Sequence, residues 1–580
     1  MKKTGAWLTR YALENIGVTH TFGIPGLHNT PIYDELGQSE QITPCLVTHE
    51  VSAAFMADAV SRTTQTIGTL VIVPGAGITH SASGIGEAYL DGIPLLIISG
   101  GIDRDSELHF QLQDIDHHAL LAPITKATYL IESHGDIIPT IFEAYRTATE
   151  GEPGPVFIEL PINLQTANEE IGALPSFNAK PATPAVDIQA IEDAVKLLTT
   201  AKNPGIFIGW GAKAASEILQ LLAMQLGAPV ATTLQGLSVF PGNHPLHVGM
   251  GFGPSSVPAA QHAFENCDCL LAIATRFSEI PTGNFGMDVP ENLIHIDINP
   301  EVFNANYPAA LSIEGDAAEI AKALLECLIK SQPTPRNSSQ LAKLIASDKS
   351  SYQALWRKHK TERVNPANFF SALRKRLPDD ALVVCDDGNH TYLSAELLPI
   401  HQVGGFISPT DFNAMGYCVP AVNALKLTHP NKLVVGIVGD GAMMMTGMEA
   451  LTASKYDLGV IYFLFDDGEL GQIAQAQEIP YKRKTCTKLG EADWIAFSHA
   501  VGCEYVAIED DSQLQPSLDI AFNLAAENKP VIVDVHIDYS KHTAFMDGAV
   551  RTKFKRFDRT AKARYLARAL TRKIIGTKTK

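Results

Sequence analysis

The chain is 580 residues long, 46% apolar and 19% charged. At roughly 150 residues per domain that length suggests about three or four domains, and the apolar content excludes disordered, collagen-like and low-complexity classes. Against 63 Asp and Glu stand 45 Lys and Arg, a net charge of −18; an acidic body repels a phosphate backbone and excludes general nucleic-acid binding.

The N-terminal segment MKKTGAWLTRYALENIG has no apolar stretch of signal-peptide length and reads as an amphipathic helix. Short β-branched runs then alternate with helical patterns: 69–73, 94–99, 156–160, 205–209, 269–274, 293–298, 433–440, 460–465 and 530–537. They are apolar without alternation, as strands covered on both faces are. The pattern is a repeated βαβ unit, which predicts an α/β fold of doubly wound parallel sheets. Proline-rich stretches at 172–187 and around 330–340 divide the body into domains at about 1–175, 185–335 and 360–545. A polar helix is expected over 336–362, and a basic tail over 546–580, whose residues 551–580 carry twelve Lys and Arg and one Asp.

The eight cysteines form no CxxC pair, which fits a reducing, cytoplasmic setting and gives a zinc motif no support. No run of about 18 apolar residues predicts a membrane span.

The strongest chemical signal is in the third domain. The strand LVVGIV runs into Gly439-Asp440-Gly441, and 24 residues later the strand VIYFLF runs into Asp466-Asp467-Gly468-Glu469. That spacing holds one helix and one return strand, so both acidic groups fall at the carboxyl ends of neighbouring parallel strands, where such sheets bind ligands. Hard oxygen ligands beside glycines and a helix start near Ala442-Met443 suit a magnesium diphosphate. A polar turn followed by an exposed acidic loop has the same letters. In the first domain, CLVTHEVSAAFMADAVSR (45–62) is a strand leading into a helix with Glu50 at the junction. By itself, Glu50 is equally a first-turn glutamate favoured by the helix dipole.

Together these motifs resemble the thiamine-diphosphate enzyme family, and the ordered set GIPG…PIYDEL, GITHSASGIGEAYLDGIPLLIISG, PITK, GPVFIELP, PVATTLQGLSVFPGNHPLHVGM and HIDINP resembles its acetolactate synthase branch. The resemblance implies pyrimidine-binding, central Rossmann-like and diphosphate-binding domains. Asp440, Asp467 and the Glu469 carbonyl are then the Mg²⁺ ligands, with Asp467 standing where the family most often has Asn. Glu50 is implied to hydrogen-bond the aminopyrimidine. Gly388-Asn389-His390, Gly439, Gly441, Ala442 and Met443 match the diphosphate segments, Met415 the apolar residue under the thiazolium, and Gly416 the pyrimidine edge. Gln113 matches the glutamine beside the reacting carbon.

Other positions depart from the branch. His28, two residues after Gly26, stands where acetolactate synthases usually have a small residue, and benzaldehyde lyase pairs a histidine there with a glutamine like Gln113; a histidine on a loop can also be structural. In Gly471-Gln472-Ile473-Ala474-Gln475-Ala476-Gln477, Gln472 and Ala476 replace the branch's Met and Trp, which opens the acceptor side of the substrate pocket. Arg276-Phe277-Ser278-Glu279 keeps only part of the segment that holds FAD, so the expectation is a flavin-free central domain. The implied enzyme decarboxylates a 2-keto acid, first of all pyruvate, and transfers the acyl-anion equivalent to a second carbonyl. The alternatives are a lyase or carboligase like benzaldehyde lyase or 2-hydroxyacyl-CoA lyase, and an idle regulatory paralogue. Family architecture implies a homodimer or homotetramer with sites between subunits. The tail places Phe554, Phe557, Ala561, Tyr565, Ala569 and Ile574 near one helical face; it packs on the body, is a solvated tail, or meets an acidic partner, a membrane or an anionic substrate.

Overall fold

The computed structural model describes residues 2–556 apart from 173, 179–184 and 482, together with 558, 560, 562–564, 567–568 and 578–579. Much of the expected 172–187 linker, and Phe557, Ala561, Tyr565, Ala569 and Ile574 of the tail, lie outside the described residues.

Three parallel sheets of six strands each carry the fold. With strands numbered along the chain within each sheet, the order is 2-1-3-4-6-5 in the first and third and 3-2-1-4-5-6 in the middle one. Each expected strand is present: Gly68–Ile72, Leu95–Gly101 and Pro155–Pro161 in the first, Pro204–Ile208, Cys269–Ile273 and Asn292–Asp297 in the second, Val434–Gly439, Ile461–Phe465 and Val531–Val535 in the third. Nearly all their residues are buried, because helices cover both faces; this is why their sequences show no alternation. The N-terminal helix forms as Gly5–Asn15, capped by the Thr4 hydroxyl. The strand before it, Lys2–Thr4, pairs antiparallel with Asn168–Glu170. The connecting helix is Ser339–Arg357.

One apolar cluster continues from the first sheet into the third through helices Glu50–Thr63 and Cys418–Thr428. Its polar inclusions are paired, as buried charges must be. Arg62 lies 2.6 Å from Asp58 and 2.8 Å from Asp91, and the Tyr417 hydroxyl donates to Asp58. The two sheets are therefore held as one body.

The basic tail starts as a helix upstream of the expected stretch, at Ala544–Arg556. Phe545 stacks on Tyr392 with ring centroids 4.1 Å apart, and Arg556 donates to the Phe285 carbonyl at 2.7 Å. A Cβ at Gly548 would collide with Pro254. The helix thus straps the central domain to the third.

Candidate functional site

In the third sheet, strand order reverses between Leu382–Cys385 and Val434–Gly439, which lie side by side. Ligands bind such sheets at this point, and here a cavity of about 160 Å³ opens. Of the expected residues, Gly388 to His390, Met415, Gly439 to Ala442, Asp467, Glu469 and Gln472 line it. Gly416 and Met443 stand behind the wall, and Ala476 is exposed on helix Gly471–Tyr481, outside the cavity. The helix after the glycine motif starts at Asp440 itself rather than at Ala442, since Gly439 takes the extended cap conformation.

Asp440 accepts the N–H of Gly441 on one oxygen and that of Gly468 on the other, both at 2.7 Å. Burial, and then the Asp466 charge, push its carboxyl up to about 7. Burial and the charges of Asp440 and Glu469 do the same to Asp467, also to about 7. A buried acid and a half-buried one whose ionisation is disfavoured by neighbouring charge are a place where a divalent cation is electrostatically welcome. The Glu469 side chain is engaged elsewhere, by Lys484 and Thr487 at 2.7 Å each, which leaves its main chain as the group on the cavity side. Asp466, beside Asp440, accepts from the Gly468 N–H at 3.0 Å on one oxygen and from Trp494 Nε1 at 3.1 Å on the other.

Among the described residues several polar atoms in this wall have no partner: Asn389 Nδ2, His390 Nε2, Gln472 Oε1, Asp387 Oδ1 and Tyr539 OH. Burial holds His390 neutral, down to about 3. A Cβ on Gly471 would sit 2.7 Å from Asp467 Oδ2 and 3.2 Å from Asn389 Nδ2, so glycine keeps this cradle open. Unpaired buried polar atoms are costly unless a ligand meets them. The donor set, two hard carboxylates beside amide and imidazole nitrogens, fits Mg²⁺ and a diphosphate.

Asp386 fixes the opposite wall. Fully buried, it accepts the N–H groups of Gly416 at 2.9 Å and Cys418 at 2.8 Å. Thr446 donates to the Gly416 carbonyl at 2.6 Å. Gly416 itself has φ +90°, where a side chain would be strained. The loop bearing Met415 is therefore pinned from both sides.

The first sheet repeats the strand order, and its switch point carries the other expected residues. Glu50 opens helix Glu50–Thr63 and is 7% exposed. His80 Nδ1 lies 3.0 Å from its carboxylate, and the His49 ring packs 4.7 Å from that of His80. His28 and Gln113 meet: Nδ1 is 3.0 Å from Oε1. An amide oxygen only accepts, so with this amide orientation His28 carries its proton on Nδ1 and leaves Nε2 free. Gln113 has φ +66°, an unusual conformation that its surroundings must enforce. Gly75, at φ +62°, has no room for a side chain beside it, since a Cβ would lie 3.0 Å from that of Gln113. The Gly75 N–H donates to His117 Nε2 at 2.8 Å. His117 Nδ1, at 3.4 Å, therefore faces Glu159 as a donor. His118 Nε2 at 3.3 Å and Arg104 at 2.9 Å close on the same carboxylate. Burial opposes the Glu159 charge, but His117, His118 and Arg104 outweigh it and hold the carboxyl well below the usual range.

Asp386, His117 and Glu159 are the functional residues that sequence reasoning missed. A faint signal existed for Asp386, an acid ending a strand just before Gly388. None existed for the other two, which lie 42 residues apart.

The middle sheet carries a larger cavity, of about 690 Å³, at the carboxyl ends of its strands. Five carboxylates line it, Asp91, Glu152, Asp297, Asp316 and Asp411, against Arg276 and Lys213. Arg276 is engaged by Asp411 at 2.7 Å and Glu152 at 3.4 Å. Lys213 donates to the Arg62 carbonyl at 2.6 Å.

Three family models cover most of this architecture. The N-terminal TPP binding domain of thiamine pyrophosphate enzymes matches residues 3–120, the central domain 191–324 and the C-terminal TPP binding domain 386–535. The chain belongs to the thiamine pyrophosphate enzyme family, and thiamine diphosphate is its cofactor. Within that class it is similar to acetolactate synthase large subunits. It is 30% identical over 544 residues to that of Corynebacterium glutamicum, covering 92% of this chain and 86% of the relative. It is 32% identical over 546 residues to the probable large subunit of Methanocaldococcus jannaschii, covering 91% and 90%. To the isozyme 3 large subunit of Escherichia coli it is 29% identical over 552 residues, covering 93% and 96%. Among the described residues no helix is long and apolar enough to cross a membrane.

Proposed function

We propose that this enzyme is an acetolactate synthase-like carboligase that decarboxylates a 2-keto acid, pyruvate first, and transfers the acyl unit to a second small carbonyl compound. The observation that carries this reading is the third-domain cavity, where, among the described residues, unpaired polar atoms converge on one buried and one half-buried carboxylate. Thiamine diphosphate, when bound, supplies the stabilised acyl-anion chemistry. Asp440, Asp467 and the Glu469 main-chain carbonyl would hold Mg²⁺ against its diphosphate. Asn389 and His390 would meet the phosphate oxygens, and Met415 would support the cofactor from the apolar side. Glu50, largely shielded from water, would hydrogen-bond the pyrimidine. His28, with Nδ1–H directed at Gln113, offers Nε2 to take or return a proton at the substrate's carbonyl oxygen.

The residues lining the cavity all follow position 386, which supports a site completed by Glu50 of a second copy. Exposed apolar side chains stand ready for such a contact: Met444, Met445, Met448 and Leu451 beside the cavity, and Leu108, Phe110 and Leu112 near Gln113. The central cavity has room for a dinucleotide, but its charge does not suit one: apart from Asp91, which Arg62 pairs, four acids line it against Arg276 and Lys213, both already engaged. A flavin-free central domain is part of the proposal, as is a cytoplasmic setting for a chain whose cysteines are all free.

A second reading, a lyase or carboligase with a larger acceptor, is favoured by the His28–Gln113 pair. One experiment separates the two. The protein is incubated with thiamine diphosphate, Mg²⁺ and pyruvate, alone and with added aldehydes, and CO₂ and acetolactate are followed by mass spectrometry beside a Glu50→Gln control. Acetolactate made by the wild type and lost in the control supports the synthase. CO₂ without acetolactate moves the acceptor, and no turnover with cofactor bound moves the donor to the lyase reading.

A further inference from the structure

A separate cavity of about 230 Å³ lies where the central domain, helix Ser339–Arg357 and the end of helix Asn389–Leu397 meet. Its walls are largely aliphatic, with Leu237, Val248, Val257, Leu398 and Ile400 among them. Most polar groups that reach it are already committed. Glu396 accepts the N–H groups of Phe545 at 2.9 Å and Ala544 at 3.1 Å, and the Tyr352 hydroxyl. Asp348 is held by His262 at 2.9 Å, and Gln353 donates to the Leu397 carbonyl at 3.3 Å.

Two groups are not committed. His247 is 6% exposed, and among the described residues neither ring nitrogen makes a well-aligned hydrogen bond, the Gly242 main chain alone pulling weakly on the ring. Lys349 lines the same space, and among the described residues no ion pair or hydrogen bond engages its ammonium. Burial pushes Lys349 down to about 8. Burial, then the Lys349 and His244 charges, hold His247 neutral, well below its usual value. The two carboxylates at the cavity, Asp348 and Glu396, are already hydrogen-bonded, which leaves the Lys349 ammonium as the charge still to be met. A phosphate dianion would bring more charge than one lysine offsets among aliphatic walls. A single carboxylate on a short hydrocarbon body satisfies all three features: it neutralises Lys349, accepts from or is bridged by His247, and buries its chain against the walls. The space is below the usual range for drug-sized ligands, so the occupant is small.

We propose that this cavity is a binding site for a small aliphatic carboxylate, held between Lys349 and His247 with its hydrocarbon on Leu237, Val257 and Ile400. It is distinct from the site described above and adds a ligand to the enzyme that takes no part in its chemistry.

The test is competitive acylation of the full-length holoenzyme, with thiamine diphosphate and Mg²⁺ present, by limiting acetic anhydride, each lysine being quantified by peptide mass spectrometry. Isovalerate, isovaleramide and inorganic phosphate are the probes. For so small a probe a dissociation constant on the order of 1 mM is expected. At ten times that concentration isovalerate should slow acylation of Lys349 by about tenfold, by mass action, and leave other lysines unchanged; the neutral amide should not protect. Equal labelling with and without isovalerate overturns the proposal. So does equal protection by isovaleramide, or protection by phosphate alone. Lys349→Met should abolish isovalerate binding in calorimetry while leaving turnover of pyruvate unchanged; isovalerate binding that survives the substitution also overturns it.

Discussion

The first and third sheets share a strand order and both place their functional residues at the point where it reverses, yet the two regions are in opposite states. In the third, the glycine and aspartate loops surround atoms that no group among the described residues meets: Asn389 Nδ2, His390 Nε2 and Gln472 Oε1 face a cavity beside two carboxylates pushed up to about 7. In the first, each group is met by another side chain: Glu50 by His80, His28 by Gln113, His117 by Glu159. One region is built by the protein for itself; the other is completed only by what it binds. The same topology can thus serve as a rigid template for proton handling or as a seat whose stability depends on its occupant.

The sharpest way to break this contrast is Glu50→Gln. It should lower kcat by roughly 10²- to 10⁴-fold, the range for losing a general acid–base group, and leave cofactor affinity measured by calorimetry nearly intact. Next come Asp440→Asn and Asp467→Ala in the third region. Each should weaken Mg²⁺-dependent binding of thiamine diphosphate by about 10- to 100-fold; unchanged affinity would mean that the cavity is not the cofactor seat. Glu159→Gln should lower kcat/KM by on the order of tenfold, a modest loss for a displaced catalytic group, with cofactor affinity unmoved. Glu159 positions His117, Gly75 and through them Gln113, so the pH profile of kcat/KM should shift as well.

The smallest effect is on stability. Asp440 and Asp467 have folded-state values near 7, above about 4 for an unfolded aspartate. The folded apoprotein then holds more protons than the unfolded chain between those limits, so these two groups make its stability fall as pH rises from about 4 to 7. Urea titrations across that range should show the decline in the apoprotein and its removal by saturating Mg²⁺ and thiamine diphosphate.

The third region was legible in the sequence because its signals are local. A β-branched run ending in Gly-Asp-Gly, and a second run ending in acids one helix and one strand later, fix Asp440 and Asp467 to adjacent strand ends without any tertiary information. Glu50 was legible for the same reason, at a strand-to-helix junction. The support of the first region was not, because it joins residues far apart in the chain. Nothing in HHALL announces that His117 bridges Gly75 to Glu159, and nothing around Arg276 announces its pairing with Asp411, 135 residues away. Ala476 is a different case: it shares helix Gly471–Tyr481 with Gln472, and within one chain Gln472 and Ile473 line the cavity while Ala476 is exposed. In the tail, most of the basic run lies outside the described residues; within helix Ala544–Arg556 the buried residues are Phe545, Gly548, Ala549 and Thr552.

Helix Ala544–Arg556 touches Pro254 and Phe285 in the middle domain and Tyr392 in the third. All of these are synthesised well before the helix itself. Domains fold largely in the order in which they emerge from the ribosome, so this clasp closes last, over partners that have already formed. Nascent chains arrested before residue 544 should contain three folded sheets whose middle domain is held by its contacts with the other two, Arg276 to Asp411 and Lys213 to the Arg62 carbonyl among them, but lacks the clasp, and limited proteolysis of such chains should cut around Pro254 and Phe285 at sites that are protected once the helix has docked.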